Sequence, residues 1–160
     1  MEAKFQIRPV TARDAADLQA ACWPDWSIDA ITELLHRAEG LTHRRRGLGV
    51  VATNESGILG YGQVTLWPRT AEISDLIVTP RSRSQGIGTS LIRYLMEQAR
   101  AWQLPSVEIG VALSNPRALA LYQRLGFQED RVIHLDLGKG AEPVMYLVMP
   151  LDQSREQARG

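Results

Sequence analysis

The segment from Leu76 to Ser90 contains the residues whose types and spacing most clearly suggest chemistry. An apolar run is followed by a basic, polar loop, and two glycines, Gly86 and Gly88, then open a predicted helix. The first turn of a helix presents unpaired N–H groups and the positive end of the helix dipole, which together favour an anion. The glycines leave room for a close approach, and Arg81 and Arg83 add positive charge suited to phosphate. The segment predicts a phosphate site, although a glycine-containing turn with solvated arginines would have the same composition.

Two common phosphate motifs are excluded by the same residues. The lysine and hydroxyl pair that ends a P-loop is absent, and the pair Gly86-x-Gly88 lacks the third glycine of a dinucleotide fingerprint. The loop also lies in the middle of the chain and not after its first strand. These differences leave a diphosphate carried by another kind of cofactor.

A second segment, Asn115 to Phe127, has the start and end signals of one short helix. Asn115 is a good N-cap, Pro116 suits the first helical position, and Gly126 suits the position after the last turn. Asn115 and Tyr122 are seven residues apart, so they lie on one face of the helix, roughly 10 Å apart along its axis. That face either contacts a ligand or belongs to a capped helix whose tyrosine is a core residue.

These motifs resemble the GNAT superfamily of acyl-CoA-dependent N-acetyltransferases. Arg83-x-x-Gly86-x-Gly88 after an apolar strand is similar to the signature loop of that family, and the segment from Asn115 to Phe127 is similar to its second CoA-binding motif. Residues 7–14 resemble its first strand and helix start. The resemblance implies transfer of the acetyl group of acetyl-CoA to a primary amine by direct attack in a ternary complex, without a metal.

The resemblance also implies where acetyl-CoA would bind. In the family, the strand before the glycine loop splays from the strand after the long helix, and pantetheine bonds the exposed backbone like an added strand. A backbone N–H near Val78 would then stabilise the oxyanion of the tetrahedral intermediate. Asn115 would hold pantetheine, and Tyr122 would protonate the departing thiolate. The implied cofactor-binding residues are Leu76, Ile77, Val78, Arg83, Ser84, Gln85, Gly86, Ile87, Gly88, Thr89, Asn115 and Tyr122.

An amine acceptor is protonated at neutral pH, so a group must take its proton before it can attack. Glu72 is the preferred base, because it lies six residues before Val78, at a position that carries a general base in some family members. Strict alternation would put Glu72 and the even-numbered residues up to Val78 on one face of the strand, and Asp75 on the other. Both carboxylates would serve one site only if a bulge intervened. Other relatives carry a base where this chain has Gly110, which excludes that version of the mechanism.

The acceptor pocket is predicted between the first two helices, in the region that shapes it in relatives. Trp23, Asp25 and Trp26 would bind a cationic amine through cation–π and charge contacts. Equally, the tryptophans would only pin a helix–helix loop to the core. The acceptor is either a small-molecule amine or a protein N-terminus or lysine.

The remaining pattern predicts the elements that hold these segments in place. Alternating apolar residues with turn signals indicate seven strands, and helical spacing indicates four helices. The predicted order is β-α-α-β-β-β-α-β-α-β-β, an α+β fold, to which the resemblance adds a mixed, mostly antiparallel central sheet flanked by helices. The predicted strands are 5–9, 48–53, 58–67, 71–79, 107–112, 127–135 and 143–149, and the predicted helices are 11–21, 29–38, 86–103 and 116–125.

The composition sets limits on the class of protein. Eighteen basic residues balance eighteen acidic ones, which gives no overall field for nucleic acid or an anionic membrane. One cysteine, Cys22, excludes an intramolecular disulfide and a cysteine metal cluster, and the three histidines lack metal-ligand spacing. No apolar stretch reaches the length of a membrane span. We therefore expect a cytoplasmic protein with one domain over residues 1–150 and a polar tail over residues 151–160.

Two other functions remain open from the residues. A non-catalytic acyl-CoA-binding sensor or interaction module would use the same loop and would bind the cofactor without turnover. A nucleotide-binding regulator is disfavoured, because neither nucleotide fingerprint is complete. A homodimer through the last strands is compatible with the sequence.

Overall fold

A seven-stranded sheet in the order β1-β2-β3-β4-β5-β7-β6 forms the centre of the computed structural model, which describes residues 4–151. The strands are β1 (Gln6–Pro9), β2 (Gly47–Asn54), β3 (Gly57–Leu66), β4 (Ala71–Val78), β5 (Ser106–Ala112), β6 (Gln128–Asp136) and β7 (Ala141–Pro150). The helices are α1 (Ala15–Cys22), α2 (Ile28–His43), α3 (Ile87–Ala101) and α4 (Pro116–Arg124). The predicted α+β class and element order are confirmed.

One pair of neighbouring strands is parallel, and it lies at the centre of the sheet. β4 pairs with β5 in parallel because α3 connects them as a crossover, whereas the other neighbours are antiparallel. The β4–β5 ladder is short, since it ends at the pair Ile73 and Ile109. Beyond that pair the two strands separate, as the resemblance implied.

Helices cover the sheet from both sides. On one side, α3 buries Leu91, Leu95 and Ala99 completely, and their spacing of four residues places them on one face of the helix. Each buried leucine of this kind stabilises the fold by about 1.5–3 kcal/mol. On the other side, α1 and α2 bury a second cluster that includes Leu18 and Leu35. α2 is longer than predicted, because the helix continues past Ala38, the last of its buried residues, and ends at His43.

The start of α1 is fixed by an ion pair with β1. Asp14 is buried, and its carboxylate accepts hydrogen bonds from Arg8 at 2.8 and 2.9 Å and from the Thr11 backbone N–H at 2.9 Å. Hydrogen bonding from Arg8 is the main cause that lowers the pKa of this carboxyl. The predicted Thr11 and Asp14 start is therefore present, with a short 3₁₀ turn before the α-helix begins.

β4 contains a bulge that the sequence pattern did not predict. Tyr61 of β3 pairs with Ile77, but Gln63 pairs with Ser74, so one residue of β3 lies opposite two of β4. Asp75 lies in this bulge with a φ of 55°. A left-handed backbone costs about 1–2 kcal/mol for most residues and less for Asp, which tolerates it better.

The bulge reverses the faces of β4 beyond Ser74. Leu76 and Val78 pack into the core under α3, on the same side as Ile73. Glu72 lies on the opposite side, facing away from that core. The predicted alternation, with Glu72 and Val78 on one face, is therefore wrong, because the extra residue shifts the period by one.

The predicted tail falls outside the described residues from 152 onward. Leu151 is described and buried, and its N–H donates to the Pro105 carbonyl at 2.8 Å. None of the helices in residues 4–151 is long and apolar enough to cross a membrane.

Candidate active site

A cavity of about 590 Å³ opens where β4 and β5 separate. Its wall combines the end of β4, the glycine loop, the first turn of α3 and one face of α4. The lining residues are Leu76, Ile77, Val78, Ser82, Arg83, Ser84, Gly86, Ile87, Gly88, Thr89, Asn115, Arg117, Ala118, Leu121, Tyr122 and Arg124. Two predicted segments that are distant in the chain, 76–89 and 115–124, thus meet at one cavity.

The glycine loop supplies the anion-binding side of this cavity. Gly86 is the N-cap of α3 with a φ of 82°, a conformation that glycine adopts without strain, and a Cβ there would meet no atom within 4 Å. A Cβ on Gly88 would contact Val78 at 3.6 Å, so this glycine also keeps the cavity wide. Gln85, which was predicted to bind the cofactor, lies outside the lining residues.

The cavity is strongly positive. Arg83, Arg117 and Arg124 line it, and none of the three forms an ion pair with a residue in the described part of the chain. No carboxylate is among its described lining residues. The first N–H groups of α3 add to this field, so the cavity favours a ligand with several negative charges.

α4 places a cap and a phenol in the same wall. The Asn115 side-chain oxygen accepts a hydrogen bond from the Ala118 N–H at 3.2 Å, as an N-cap should, which leaves its amide nitrogen available to a ligand. Gly126 ends the helix with a φ of 104°, as predicted.

Tyr122 is buried, with 6% of its surface exposed. The centroid of its ring lies 6.3 Å from that of the Phe127 ring. Its hydroxyl makes no hydrogen bond with any residue between 4 and 151, although it lies in the cavity wall. Burial raises the pKa of this phenol to about 12. The phenol therefore keeps its proton at neutral pH and remains free to donate it to a ligand atom.

Sequence reasoning missed five lining residues: Ser82, Arg117, Ala118, Leu121 and Arg124. Ala118 lies one turn from both Asn115 and Tyr122, and Leu121 lies one turn from Ala118, so the helical period carried this signal. The positions of Arg117 and Arg124 depend on how α4 docks, which no local pattern specifies.

An aromatic wall lies on the α1 and α2 side of the sheet. Trp23 and Trp26 are stacked with ring centroids 5.2 Å apart, and Trp23 also packs edge-on against Tyr61 at 5.8 Å. Trp26 is 46% exposed, and Asp25 is exposed beside it. These residues anchor the loop and leave an aromatic face open to solvent, so the geometry is compatible with either predicted role.

Glu72 is held by one neighbour on the same side of the sheet. The Trp67 indole N–H donates to its carboxylate at 3.0 Å, and the charge of Glu72 acts on the nearby Tyr146 phenol. Burial is the largest cause that raises the pKa of Tyr146, and the charges of Glu72 and Glu108 add to the rise. Glu72 also lies in the paired part of β4, directly beside Glu108 of β5.

Asp75 lies beyond the part of β4 that pairs with β5, and it is also on the α1 and α2 side of the sheet. Its side chain reaches solvent, yet protein atoms surround much of it, and this desolvation raises the pKa of its carboxyl. The charge of Arg37 on α2 and a hydrogen bond from Ser74 partly oppose that rise. The bulge thus brings both candidate bases to one side of the sheet.

Gly110 has a packing reason of its own. A Cβ at this position would lie 3.1 Å from the Tyr146 ring, so glycine lets that ring lie across β5.

Within residues 4–151, no group of three or more His, Cys, Asp or Glu side chains has metal-binding geometry.

Comparison with known proteins agrees with this geometry. The family model described as "Acetyltransferase (GNAT) family" matches residues 12–127. That match covers more than half of the chain, and the chain therefore belongs to the GNAT family of acetyltransferases.

Individual relatives are more distant. An uncharacterised N-acetyltransferase of Methanocaldococcus jannaschii is 41% identical over 63 residues, which cover 39% of this chain and 28% of the relative. One of Bacillus subtilis, also uncharacterised, is 31% identical over 110 residues, 69% of this chain and 66% of the relative. The chain thus spans less than two thirds of the length of either protein.

Among solved structures, a Salmonella typhimurium acetyltransferase in complex with its cofactor acetyl-CoA is similar in fold. Its TM-score is 0.71 at 21% identity, with 94% of this chain and 96% of the other covered.

Proposed function

We propose that this chain is an N-acetyltransferase that moves the acetyl group of acetyl-CoA to a primary amine by direct attack in a ternary complex. The observation that carries the proposal is the cavity between the separated strands. There a protonated phenol, with no hydrogen-bond partner in residues 4–151, lies in the same wall as a helix N-terminus and three arginines. A diphosphate fits the positive end, and a thiol leaving group fits the phenol.

The residues present suit acetyl-CoA. The α3 N-terminus with Arg83 would hold the diphosphate, and the Asn115 amide would meet the pantetheine arm. The freed backbone of β4 near Val78 would bond the same arm and would stabilise negative charge on the acetyl oxygen. Acetyl-CoA, when bound, supplies an acetyl group activated as a thioester.

Tyr122 is the proposed general acid. A phenol with a pKa near 12 stays protonated at neutral pH, and its hydroxyl has no competing partner among the described residues. It would give its proton to the departing sulfur, because a thiolate leaves more readily when it is neutralised.

The acceptor would enter from the α1 and α2 side. Trp23 and Trp26 offer an aromatic face to a cationic amine, with Asp25 beside them. A carboxylate on the same side, Glu72 or Asp75, would take the amine proton. Both a small-molecule amine and a peptide N-terminus or lysine fit this open entrance.

Thiol release from acetyl-CoA tests the proposal. A panel of amino acids, polyamines and short peptides is assayed for free CoA thiol with the wild type and with Tyr122→Phe. We expect at least one amine to stimulate thiol release, and Tyr122→Phe to lower kcat about 10²–10⁴-fold with little change in acetyl-CoA affinity.

Equal kcat for the two proteins would remove Tyr122 from the chemistry. Binding of acetyl-CoA with no thiol release from any amine would support the alternative, a non-catalytic acyl-CoA sensor or interaction module.

A further inference from the structure

The bulge in β4 lies at the point where a reacting amine must arrive. The β4–β5 ladder ends at Ile73, and Asp75 is two residues further on, in the separated part of the strand. Asp75 has no ladder partner of its own in β3, and its φ of 55° turns it out of the regular strand alternation. A regular strand would have placed this carboxylate under α3, away from the acceptor side.

Distance along the strand separates the two candidate bases. At about 3.3 Å per residue, Asp75 lies roughly 10 Å before Val78 and Glu72 roughly 20 Å before it. With the thioester near Val78, as proposed, the Asp75 side chain and one amine together span the first distance. The second distance leaves a longer gap, which water would have to bridge.

The surroundings of the two carboxylates also differ. Glu72 already accepts a hydrogen bond from the Trp67 indole N–H at 3.0 Å, and it lies directly beside Glu108 of β5. The groups acting on the Asp75 carboxyl are Arg37 of α2 and Ser74, and the charge of Asp75 contributes to the raised pKa of Tyr61 on β3. Arg37 makes no ion pair with a described residue and acts on Asp75 only as a nearby charge.

We propose that Asp75, and not Glu72, is the catalytic residue that takes the proton from the acceptor ammonium group, an inference that rests on the proposed acetyltransferase function. Desolvation strengthens the affinity of this carboxyl for a proton, as a general base requires. The open face of Trp26 and the exposed side of Asp75 give the amine a route to it.

The proton and electron balance of the transfer is complete with residues of this chain. The ammonium group gives one proton to the Asp75 carboxylate, and the freed nitrogen lone pair forms the new C–N bond with the acetyl carbon. The C–S bond breaks with its electron pair on sulfur, which takes the Tyr122 proton. The second proton of the nitrogen returns to the Tyr122 phenolate through water, and Asp75 releases its proton to solvent.

The test compares Asp75→Asn with Glu72→Gln, using the fastest primary alkylamine of the panel and hydroxylamine, which is already unprotonated at neutral pH. Asp17→Asn, an exposed aspartate on α1, is the matched control. For the alkylamine we expect Asp75→Asn to lower kcat/KM about 10²–10⁴-fold, and Glu72→Gln to lower it far less. With hydroxylamine the Asp75→Asn defect should shrink, and acetyl-CoA affinity should not change.

The pH profile supplies a second readout. Wild-type kcat/KM for the alkylamine should level off once Asp75 is ionised, whereas Asp75→Asn should keep rising with pH toward the pKa of the amine. An equal or larger loss in Glu72→Gln, or an Asp75→Asn defect of the same size with hydroxylamine, overturns the assignment. If the wild type itself releases no thiol with any amine, the proposed function fails, and not merely the choice of base.

Discussion

At the scale of single residues, one physical effect acts on both proposed catalytic groups. Burial raises the pKa of the Tyr122 phenol, so that it stays protonated at neutral pH. Desolvation also raises the pKa of Asp75, so that its carboxylate binds a proton more tightly than a free aspartate. The two lie on different elements, α4 and β4, that flank the separated strands. Desolvation thus explains both the proposed acid and the proposed base.

Asp75→Asn should stabilise the protein in a pH-dependent way. Because the folded-state pKa of Asp75 is raised, its ionisation disfavours the folded state as pH rises through that pKa. Removing the charge should therefore raise the free energy of unfolding more at neutral pH than at a pH below the usual aspartate range. Urea unfolding of both proteins at the two pH values measures the difference.

A second effect of the same substitution is separable from the first. Asn tolerates the positive φ of this position well, and that gain is the same at every pH. A stability difference that does not change with pH would show that only the backbone effect operates.

At the scale of elements, cap and turn residues predicted the helix ends well. Predictions that assumed a regular strand alternation were poor. The cap at Asn115 and the left-handed glycine at Gly126 fixed both ends of α4, because each satisfies a backbone requirement of the helix. The bulge at Asp75 was missed because its cause is the pairing of β4 with β3, a non-local contact. Arg117 and Arg124 were missed for a similar reason, because their place in the cavity depends on non-local contacts of α4.

The arginines of α4 lead to a prediction about cofactor selectivity. Arg117 and Arg124 line the cavity in addition to the glycine loop, so the wall has more positive charge than a diphosphate alone needs. We expect the double substitution of both residues by Ala to weaken CoA binding about 10–100-fold, by loss of charge-assisted hydrogen bonds. It should weaken the binding of 3′-dephospho-CoA less.

Calorimetric titration of the two ligands measures this effect, with Arg93→Ala on the exposed side of α3 as the control. Equal weakening for both ligands would assign the α4 arginines to the diphosphate instead of the 3′-phosphate.

At the scale of the whole molecule, the sheet would separate the two proposed ligands, one on each of its faces. α3 and α4 form the positive cavity on one side, while α1 and α2 carry the aromatic wall on the other. The gap between β4 and β5 is where the two sides meet. A chain with no net charge can therefore still bind a polyanion, because the charge is distributed unevenly over its surface.

The outer edge of the sheet has a different character. β6 is its last strand, and Val132 and Ile133 are 45% and 36% exposed there. A homodimer through this strand, which the sequence left open, stays a prediction.

Isothermal titration with acetyl-CoA is the direct test of whether the glycine loop and its cavity bind this cofactor. ATP and NAD serve as competing ligands, and Gly86→Glu serves as the site control. We expect acetyl-CoA to bind at one site, ATP and NAD to bind far more weakly, and Gly86→Glu to abolish binding by placing a negative side chain in the phosphate site. No binding of acetyl-CoA by the wild type, or undiminished binding by Gly86→Glu, would show that the glycine loop is not an acetyl-CoA site.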